Sequence, residues 1–378
     1  MNNFKHFQNQ LFDFLTEDPN SCTYLGLNKN LGDLPDPGKN KRIRNQGKIK
    51  MLTHSLSQID KSSLGLNDLV DFELCELIIE QQRLYYELEI DDIPKVMRLP
   101  NAVHILSGPL FALYIQDERA SKLRLVNIIS KLEKYDSFII SYCRNVRKPL
   151  KRWVEMEITM IAGLPEFFEN IKSWAIKEDF KNIPRLEHAI NSAQTGLKRY
   201  QSFLENVETT KNFTIGNEQL NLVLKSRGIN LSADELHKIA KDFTRRNLEE
   251  TKLLRESLIK KYKLPATTSS EALQIFLDQK FKVKRTTENF DYILERYEEE
   301  RQKVLNFIKE MDLFPIPDNQ EMKLILTPDF LKPSIPAEAM MSPMPFSPNR
   351  KLSLIYLTLS EELIDEHTEI SIPVSYTH

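Results

Sequence analysis

The chain has 378 residues, of which 41% are hydrophobic and 28% are charged, and its formal net charge is −2 at pH 7. These values are typical of a folded soluble protein. They exclude the strongly basic overall field that favours binding to nucleic acid or to an anionic membrane surface. Glycine is scarce, at 10 residues, which favours long helices over an all-β architecture. We therefore expect neither nucleic acid nor a membrane among the partners.

Three cysteines, Cys22, Cys75 and Cys143, lie far apart and form no CxxC pair. Such sparse usage is typical of a reducing compartment and of a protein without a structural zinc site. The segment Met1–His6 lacks the apolar core of a signal peptide. No apolar run approaches the roughly 20 residues of a membrane span. The sequence therefore predicts a cytoplasmic location.

In chain order, the first apolar residues at helical spacing are Phe4, Phe7 and Leu11. The pair Asp18-Pro19 is expected to end that helix, because the residue before a proline disfavours helical backbone angles. Residues Asn20–Leu27 are predicted to form a loop, since glycine and proline are frequent in the stretch that continues to residue 38.

A basic cluster follows this loop, and it lies on a predicted helix without interleaved aromatic residues. A solvated helix face is the favoured interpretation of such a pattern. A phosphate or nucleic-acid contact is the alternative, and it would make the chain a basic-patch binder. The cluster consists of Lys39, Lys41, Arg42, Arg44, Lys48 and Lys50.

Amphipathic helices are predicted for most of the chain up to residue 313, with apolar residues three or four positions apart. A break is expected from Arg98 to Pro109, and a kink or restart at Gly163-Leu-Pro165. A capping box at Ser232-Ala-Asp-Glu235 should open a helix that ends near Tyr262. The apolar stripes are Val70, Leu74, Leu77, Leu84 and Leu88; an uninterrupted helix from Leu125 to Val146; Trp153 to Trp174; Leu186 to Leu204; and Phe290 to Met311.

The last 65 residues follow a different pattern, with short extended runs between prolines. Met322–Thr327 and Leu352–Leu359 are predicted strands of a small sheet. The favoured interpretation is a hairpin-like cap, and the alternative is an edge strand that holds an extended peptide. We expect a mainly α fold, with a bundle-like helical body over residues 1–313. A strand-containing segment over residues 314–378 would lead into a catalytic region that is absent.

No complete catalytic motif occurs in the sequence. HExxH, which places two zinc-binding imidazoles on one helix face, is missing, as are GxSxG and a phosphate-binding glycine loop. Glu155 and Glu157 are two positions apart on a predicted helix, so their side chains should face different directions. The histidines at positions 6, 54, 104, 188, 237 and 367 are scattered singly, and we interpret them as surface or satisfied core residues.

Several segments resemble the bacterial DUF-885 family, a domain of unknown function that is similar to mostly helical zinc peptidases. The segments run in order along the whole chain, which chance matches of short motifs would not do. The most specific is Ile325-Leu-Thr-Pro-Asp-Phe-Leu-Lys-Pro-Ser-Ile-Pro336, continued by Met344-Pro-Phe346. The others are Pro19–Leu27 with Asp33–Asp36, Leu125–Tyr135 with Lys148–Glu155, and Ile215–Leu220 with Leu231–Leu236.

The resemblance implies a metal site that this sequence carries only in part. In the family, the segment like Ile370–His378 leads into a motif of the form HExxPGHH, and His378 stands at its first histidine. The rest of that motif is absent, and one histidine cannot supply the three protein ligands typical of catalytic zinc. We expect zinc in the complete family protein, no tight binding of zinc to this chain, and no peptidase activity by this chain alone.

Two further hypotheses compete with the basic-patch binder for the function. The first is the N-terminal part of a metallopeptidase-like protein, with a peptide substrate or a complementary C-terminal polypeptide as partner. The second is a non-catalytic helical scaffold or interaction protein. If a catalytic helix is missing, the bare apolar residues of Leu352–Leu359 and Ile370–Val374 should also promote self-association.

Overall fold

The computed structural model describes residues 3–281, 290–316, 318–335, 337–349 and 351–358. Their contacts divide the chain into two compact units. The described part of the first unit is residues 3–233, 328–334 and 344–349, and the remaining described residues belong to the second. The predicted mainly α fold with a small sheet near the C-terminus is confirmed. The predicted boundary at residue 313 stays a prediction.

The first unit is a body of helices with one two-stranded hairpin. The hairpin pairs Ile90 with Ile93, and a short 3-10 helix covers Lys61–Ser63. The elements are α1 Asn3–Leu15, α2 Pro19–Leu25, α3 Lys39–Ser57, α4 Leu66–Glu87, β1 Glu89–Ile90, β2 Ile93–Pro94, α5 Lys95–Arg98, α6 Ala102–Ile115, α7 Ser121–Leu132, α8 Tyr135–Cys143, α9 Lys151–Lys177, α10 Ile183–Asn206 and α11 Gly216–Ser226.

The predicted loop over Asn20–Leu27 is wrong, because most of it forms helix α2. The Asp18 carboxylate accepts a hydrogen bond from the backbone N–H of Asn20 at 2.7 Å and so caps this helix. Pro19 occupies the first helical position, where its missing N–H costs nothing. The helix ends at Gly26, whose φ of 77° is left-handed. The pair that ends α1 therefore begins a second helix.

The predicted break from Arg98 to Pro109 is also too long, since α6 begins at Ala102 and contains Pro109. A proline inside a helix leaves the carbonyl four residues earlier without its usual donor. Here that carbonyl belongs to Ile105, and the side-chain amide of Asn20 donates to it at 2.8 Å. A side chain from α2 thus replaces the hydrogen bond that Pro109 cannot make.

Two apolar stripes need correction. The predicted single helix from Leu125 to Val146 divides into α7 and α8 between Leu132 and Tyr135, although the apolar face of each helix remains buried. The turn places Tyr135 in the core, where its hydroxyl donates to the carbonyl of Leu106 at 2.7 Å. In α4, Val70 and Leu74 are exposed. The predicted Leu84 and Leu88 are buried, and the rest of the buried face is formed by Phe72, Cys75 and Ile79, which pack with residues of α1 and α3.

The stripe of α10 is confirmed, because Leu186, Ile190, Ala193, Leu197, Tyr200 and Leu204 are all buried. The helix packs against α7, α8 and α9. Its solvent side carries charged residues such as Lys198, which is exposed directly beside the buried Leu197.

Helix α9 runs without restart through Gly163 and Pro165. At Gly163 the backbone of the segment Pro328–Ser334 lies against the helix, and a Cβ atom on residue 163 would sit 2.5 Å from the nitrogen of Phe330. Phe330 is fully buried, and its ring stacks on Phe167 with centroids 5.0 Å apart and meets Phe111 at 6.1 Å. The glycine therefore makes room for a later segment of the chain.

The second unit combines three described helices with a three-stranded sheet. Its elements are α12 Ala233–Lys261, α13 Ser270–Phe281, α14 Phe290–Glu310, β3 Gln320–Leu326, β4 Glu338–Met341 and β5 Lys351–Leu357. The order is β3-β5-β4, with β5 parallel to β3 and antiparallel to β4. The core is formed by Ile293 and Tyr297 of α14 with Ile355 and Leu357 of β5. The predicted hairpin-like cap is wrong, since β3 and β5 run in the same direction.

We predict that Leu197→Asp destabilises the first unit strongly. The substitution places an unpaired carboxylate in the core and removes a buried side chain, so the free energy of unfolding should fall by about 4 kcal/mol. Lys198→Asp on the exposed side of the same helix is the matched control, and it should change the stability by less than about 1 kcal/mol. Urea unfolding followed by circular dichroism measures both, and equal losses would contradict the assignment of the buried face.

A second prediction concerns the close approach at Gly163. Gly163→Ala should lower the free energy of unfolding by about 2 kcal/mol, because the methyl group must displace the backbone at Phe330. Gly47→Ala in α3 is the control, since no atom lies within 4 Å of the added carbon. That change should stabilise the protein by about 0.5 kcal/mol through helix propensity. Thermal unfolding of the two variants should therefore shift in opposite directions.

Candidate functional site

The predicted metal ligand, His378, lies outside the described residues, as does the segment Ile370–Val374. Within the part of the chain that the structure describes, no three histidine, cysteine, aspartate or glutamate side chains lie together in a way that could hold a metal ion. The described residues therefore do not fit a zinc site of the kind that catalysis uses. None of the described helices has the length and apolarity needed to cross a bilayer.

The two glutamates of α9 have different environments. Glu155 is exposed, whereas Glu157 is buried, with 3% of its surface exposed. The Glu157 carboxylate accepts hydrogen bonds from the backbone N–H of Val103 at 3.0 Å and from the Tyr200 hydroxyl at 2.9 Å. It thus caps the first turn of α6 from a neighbouring helix. Burial raises the pKa of Glu157 to about 7, although these donors act in the opposite direction.

The basic cluster of α3 lies on the wall of a cleft in the first unit, with a volume of about 910 Å³. The ends of α1 and α4 line the same cleft, as do parts of α8 and the loop over residues 33–38. Lys39 and Arg44 are exposed, and Lys41 and Arg42 are partly buried. The favoured interpretation as a solvated helix face therefore describes only some members of the cluster.

Most cations of this cleft have carboxylate partners. Lys41 pairs with Glu17 at 2.8 Å, Arg44 with Asp36 at 3.7 Å, and Lys134 with Asp33 at 2.6 Å. Lys48, next to the cleft, shares the Glu17 carboxylate. These lysines hold the pKa of Glu17 below its ordinary value, against the opposing effect of burial.

Arg42 differs from its neighbours because it has no ion pair with any described carboxylate. One of its terminal nitrogens, Nη1, lies 3.0 Å from the sulfur of Met97, a residue of α5 that also lines the cleft. A thioether is only a weak acceptor. The cleft thus contains a partly buried guanidinium whose charge has no described counterion.

Aromatic residues complete the cleft. Phe14, Tyr85, Tyr86, Phe138 and Tyr142 all line it. The Tyr86 hydroxyl accepts a hydrogen bond from the side-chain amide of Asn45 at 2.8 Å, and burial raises the pKa of Tyr86. No pattern in the sequence indicates this arrangement, because the aromatic residues come from α1, α4 and α8 and not from the basic cluster itself.

The sheet of the second unit offers a second feature. β4 pairs with β5 along one side, and no other described strand pairs with it. Its four residues, Glu338–Met341, are partly buried. The Tyr297 hydroxyl of α14 donates a hydrogen bond to the Glu338 carboxylate, which ties this end of β4 to the helix.

The model of the family described as a bacterial protein of unknown function, DUF885, matches residues 19–378. This range includes most of the cleft lining and of the first unit, and all of the second unit. The chain belongs to the DUF885 family. The segment over Pro328–Ser334 that buries Phe330 is part of the stretch that carried the resemblance most specifically. A search of curated protein sequences finds no match.

Two solved structures share the fold of this DUF885 chain. One is a candidate lipoprotein of unknown function from Shewanella oneidensis, with a TM-score of 0.67 and 15% sequence identity. The other is a candidate lipoprotein from Colwellia psychrerythraea, with a TM-score of 0.68 and 12% identity. The chain aligns over 98% and 95% of its own length, and it spans 66% and 67% of theirs. At these identities the likeness shows the fold alone.

We predict a pH dependence of stability that originates at Glu157. Its pKa is raised from 4.5 to about 7 in the folded protein, so the folded state holds a proton that the unfolded state has lost. Stability should therefore fall as the pH rises from about 4.5 to about 7, by about 3 kcal/mol from this group. Urea unfolding across this pH range should show that the free energy of unfolding falls more steeply for the wild type than for Glu157→Gln, whose side chain cannot ionise.

Tyr200→Phe provides an independent check on the same group. It removes one hydrogen-bond donor to the carboxylate, so the pKa of Glu157 should rise further. The loss of stability with rising pH should then extend to higher pH. Identical pH profiles for the wild type and Glu157→Gln would contradict the raised pKa.

Proposed function

We propose that this chain forms the helical body and the peptide-binding sheet of a DUF885 protein that hydrolyses peptides with zinc. His378 is the first histidine of the HExxPGHH-like motif in this proposal, and the other ligands belong to residues that follow it in the family. By itself the chain binds zinc weakly and has no peptidase activity. The described residues supply no zinc site, so we assign no chemical step to them.

The observation that carries this proposal is the position of β4 at the edge of the described sheet. An edge strand presents unpaired backbone N–H and C=O groups, and an extended peptide can pair with them as an additional strand. Such pairing holds the peptide backbone straight, which exposes a peptide bond to attack. β4 has only four residues, so it would align a short stretch of substrate.

The surface of α12 supports the proposal that another polypeptide segment packs on this body. From Asp234 to Leu254 the helix is exposed on every side. Leu236, Ile239, Phe243 and Leu253 are between 37% and 68% exposed. Exposed apolar residues that recur along one helix mark a surface for interaction.

The second candidate is a non-catalytic scaffold, and the same face of α12 favours it equally. A scaffold would use this apolar surface to recruit a partner without any chemistry. The two candidates differ in the DNA that follows the His378 codon. A glutamate codon immediately after it, followed by a Pro-Gly-His-His sequence, is expected for the peptidase and not for the scaffold. The cytoplasmic location belongs to both proposals.

We predict that the 378-residue chain does not hydrolyse a panel of unstructured peptides. The chain extended through the encoded motif should hydrolyse them, should lose this activity with a chelator, and should regain it with zinc. His378→Ala in the extended chain should lower the rate at least about 100-fold, because it removes a metal ligand. His54→Ala, at an exposed position of α3, is the matched control and should leave the rate unchanged.

Hydrolysis by the extended chain that survives both the chelator and His378→Ala would overturn the assignment to zinc. A gene without the motif, together with stable capture of another polypeptide that Phe243→Asp abolishes, would establish the scaffold instead.

A further inference from the structure

The cleft of the first unit has the dimensions and the composition of a small-molecule site. Its volume is about 910 Å³, within the range of about 300–1,000 Å³ that ligand pockets occupy. Five aromatic side chains and several polar groups line it together. All of the lining residues belong to the first unit.

The charges that line the cleft nearly balance. Five cations and four carboxylates line it, which leaves a formal excess of one positive charge. The cations are Lys39, Lys41, Arg42, Arg44 and Lys134, and the carboxylates are Glu17, Asp18, Asp33 and Asp36. The four carboxylates repel a phosphate dianion more strongly than a monoanion.

The excess charge is concentrated at one place. Lys41, Arg44 and Lys134 each pair with a carboxylate of the same cleft, and Lys39 is exposed to solvent. Arg42 is partly buried and has only the Met97 sulfur as a described polar contact of its side chain. A guanidinium presents two parallel N–H groups that match the two oxygens of a carboxylate.

The apolar walls define the rest of the ligand. Phe14 and Phe138 offer no hydrogen-bonding groups, and the Tyr142 hydroxyl already accepts from the backbone N–H of Asn101 at 2.8 Å. The Tyr86 hydroxyl is likewise engaged with Asn45. The rings therefore favour an apolar or aromatic body next to the charged group.

We propose that this cleft binds a small organic monocarboxylate with an apolar body, and that the Arg42 guanidinium holds its carboxylate. The carboxylate can come from a simple acid or from the C-terminus of a short peptide. The proposal does not depend on the peptidase activity, because it uses the first unit alone and no metal.

The binding test uses the full chain and matched probes. Hydrocinnamate carries the carboxylate and an aromatic body, and its amide, hydrocinnamamide, has the same shape without charge. Isothermal titration should give saturable binding of hydrocinnamate and affinity at least about tenfold lower for the amide. N-acetylphenylalanine adds a peptide group, so its tighter binding would assign the site to a peptide terminus, and equal binding would assign it to simple acids.

Variants then test the assigned residue. Arg42→Gln should weaken hydrocinnamate binding at least about tenfold, and Arg42→Lys should retain part of it. Lys50→Gln removes an exposed cation of the same helix that does not line the cleft, so it should change the affinity less than about twofold. Circular dichroism before each titration shows whether the helical body is intact.

Four results would overturn the proposal: no saturable binding of hydrocinnamate to the wild type, equal affinity for acid and amide, tighter binding of phenyl phosphate, or unchanged affinity in a folded Arg42→Gln variant. The comparison of acid with amide needs no substitution, so the proposal remains testable even if the Arg42 variants do not fold.

Discussion

The insertion of Phe330 beside Gly163 is the constraint on which much of the first unit depends. The chain leaves this unit after Ala233 and returns to it with Pro328–Ser334. The return requires a position where a backbone can touch a helix, and only a residue without a side chain permits this contact on α9. The aromatic rings of Phe111 and Phe167 then surround Phe330. Residues separated by more than 150 positions thus form one core, which explains why α9 carries a glycine at position 163.

In the first unit, side chains also make hydrogen bonds that the backbone of α6 cannot make for itself. Pro109 leaves a carbonyl in α6 without its donor, and Asn20 supplies one. The first turn of the same helix has free N–H groups, and Glu157 accepts from one of them. Two backbone groups near the start of α6 are therefore satisfied by side chains from other helices. Such long-range partners tie α2, α6 and α9 together, since a buried polar group without a partner is costly.

Helical periodicity predicted most of the elements and the buried face of α10, because a regular stripe reflects burial against several neighbours. Periodicity was less successful where contacts with distant residues override a local sequence pattern. Pro109 looked like a break, but a distant asparagine compensates for it. Val70 and Leu74 formed a plausible stripe, yet the more apolar side of α4 lies at Phe72. The parallel pairing of β3 with β5 could not be predicted from the sequence, since strand direction depends on the path of the chain between the two strands.

The cleft was harder to predict than the fold, for a physical reason. Its basic residues are adjacent in sequence, but their significance depends on which carboxylates lie near them. Lys41 and Arg42 are neighbours in a single helix, and only the first has a glutamate partner. The sequence contains no pattern that distinguishes Lys41 from Arg42. Their possible partners, Glu17, Asp33 and Asp36, precede α3, and the path of that segment determines which cation each carboxylate meets.

Two buried ionisable groups of the first unit, Glu157 and Lys131, have shifted pKa values but do not line the cleft. Glu157, with its pKa near 7, has the value expected of a general base. Glu157 does not line the cleft, however, and its Oε2 atom accepts hydrogen bonds from Val103 of α6 and from Tyr200. Burial lowers the pKa of Lys131 to about 8, but its amine donates to the carbonyl of Asp33 at 2.5 Å and also lies outside the cleft lining. Perturbed pKa values here reflect structural burial. The cleft group that remains for an anionic ligand is Arg42, which has no ion pair with any described carboxylate. Its guanidinium can attract and orient an anion.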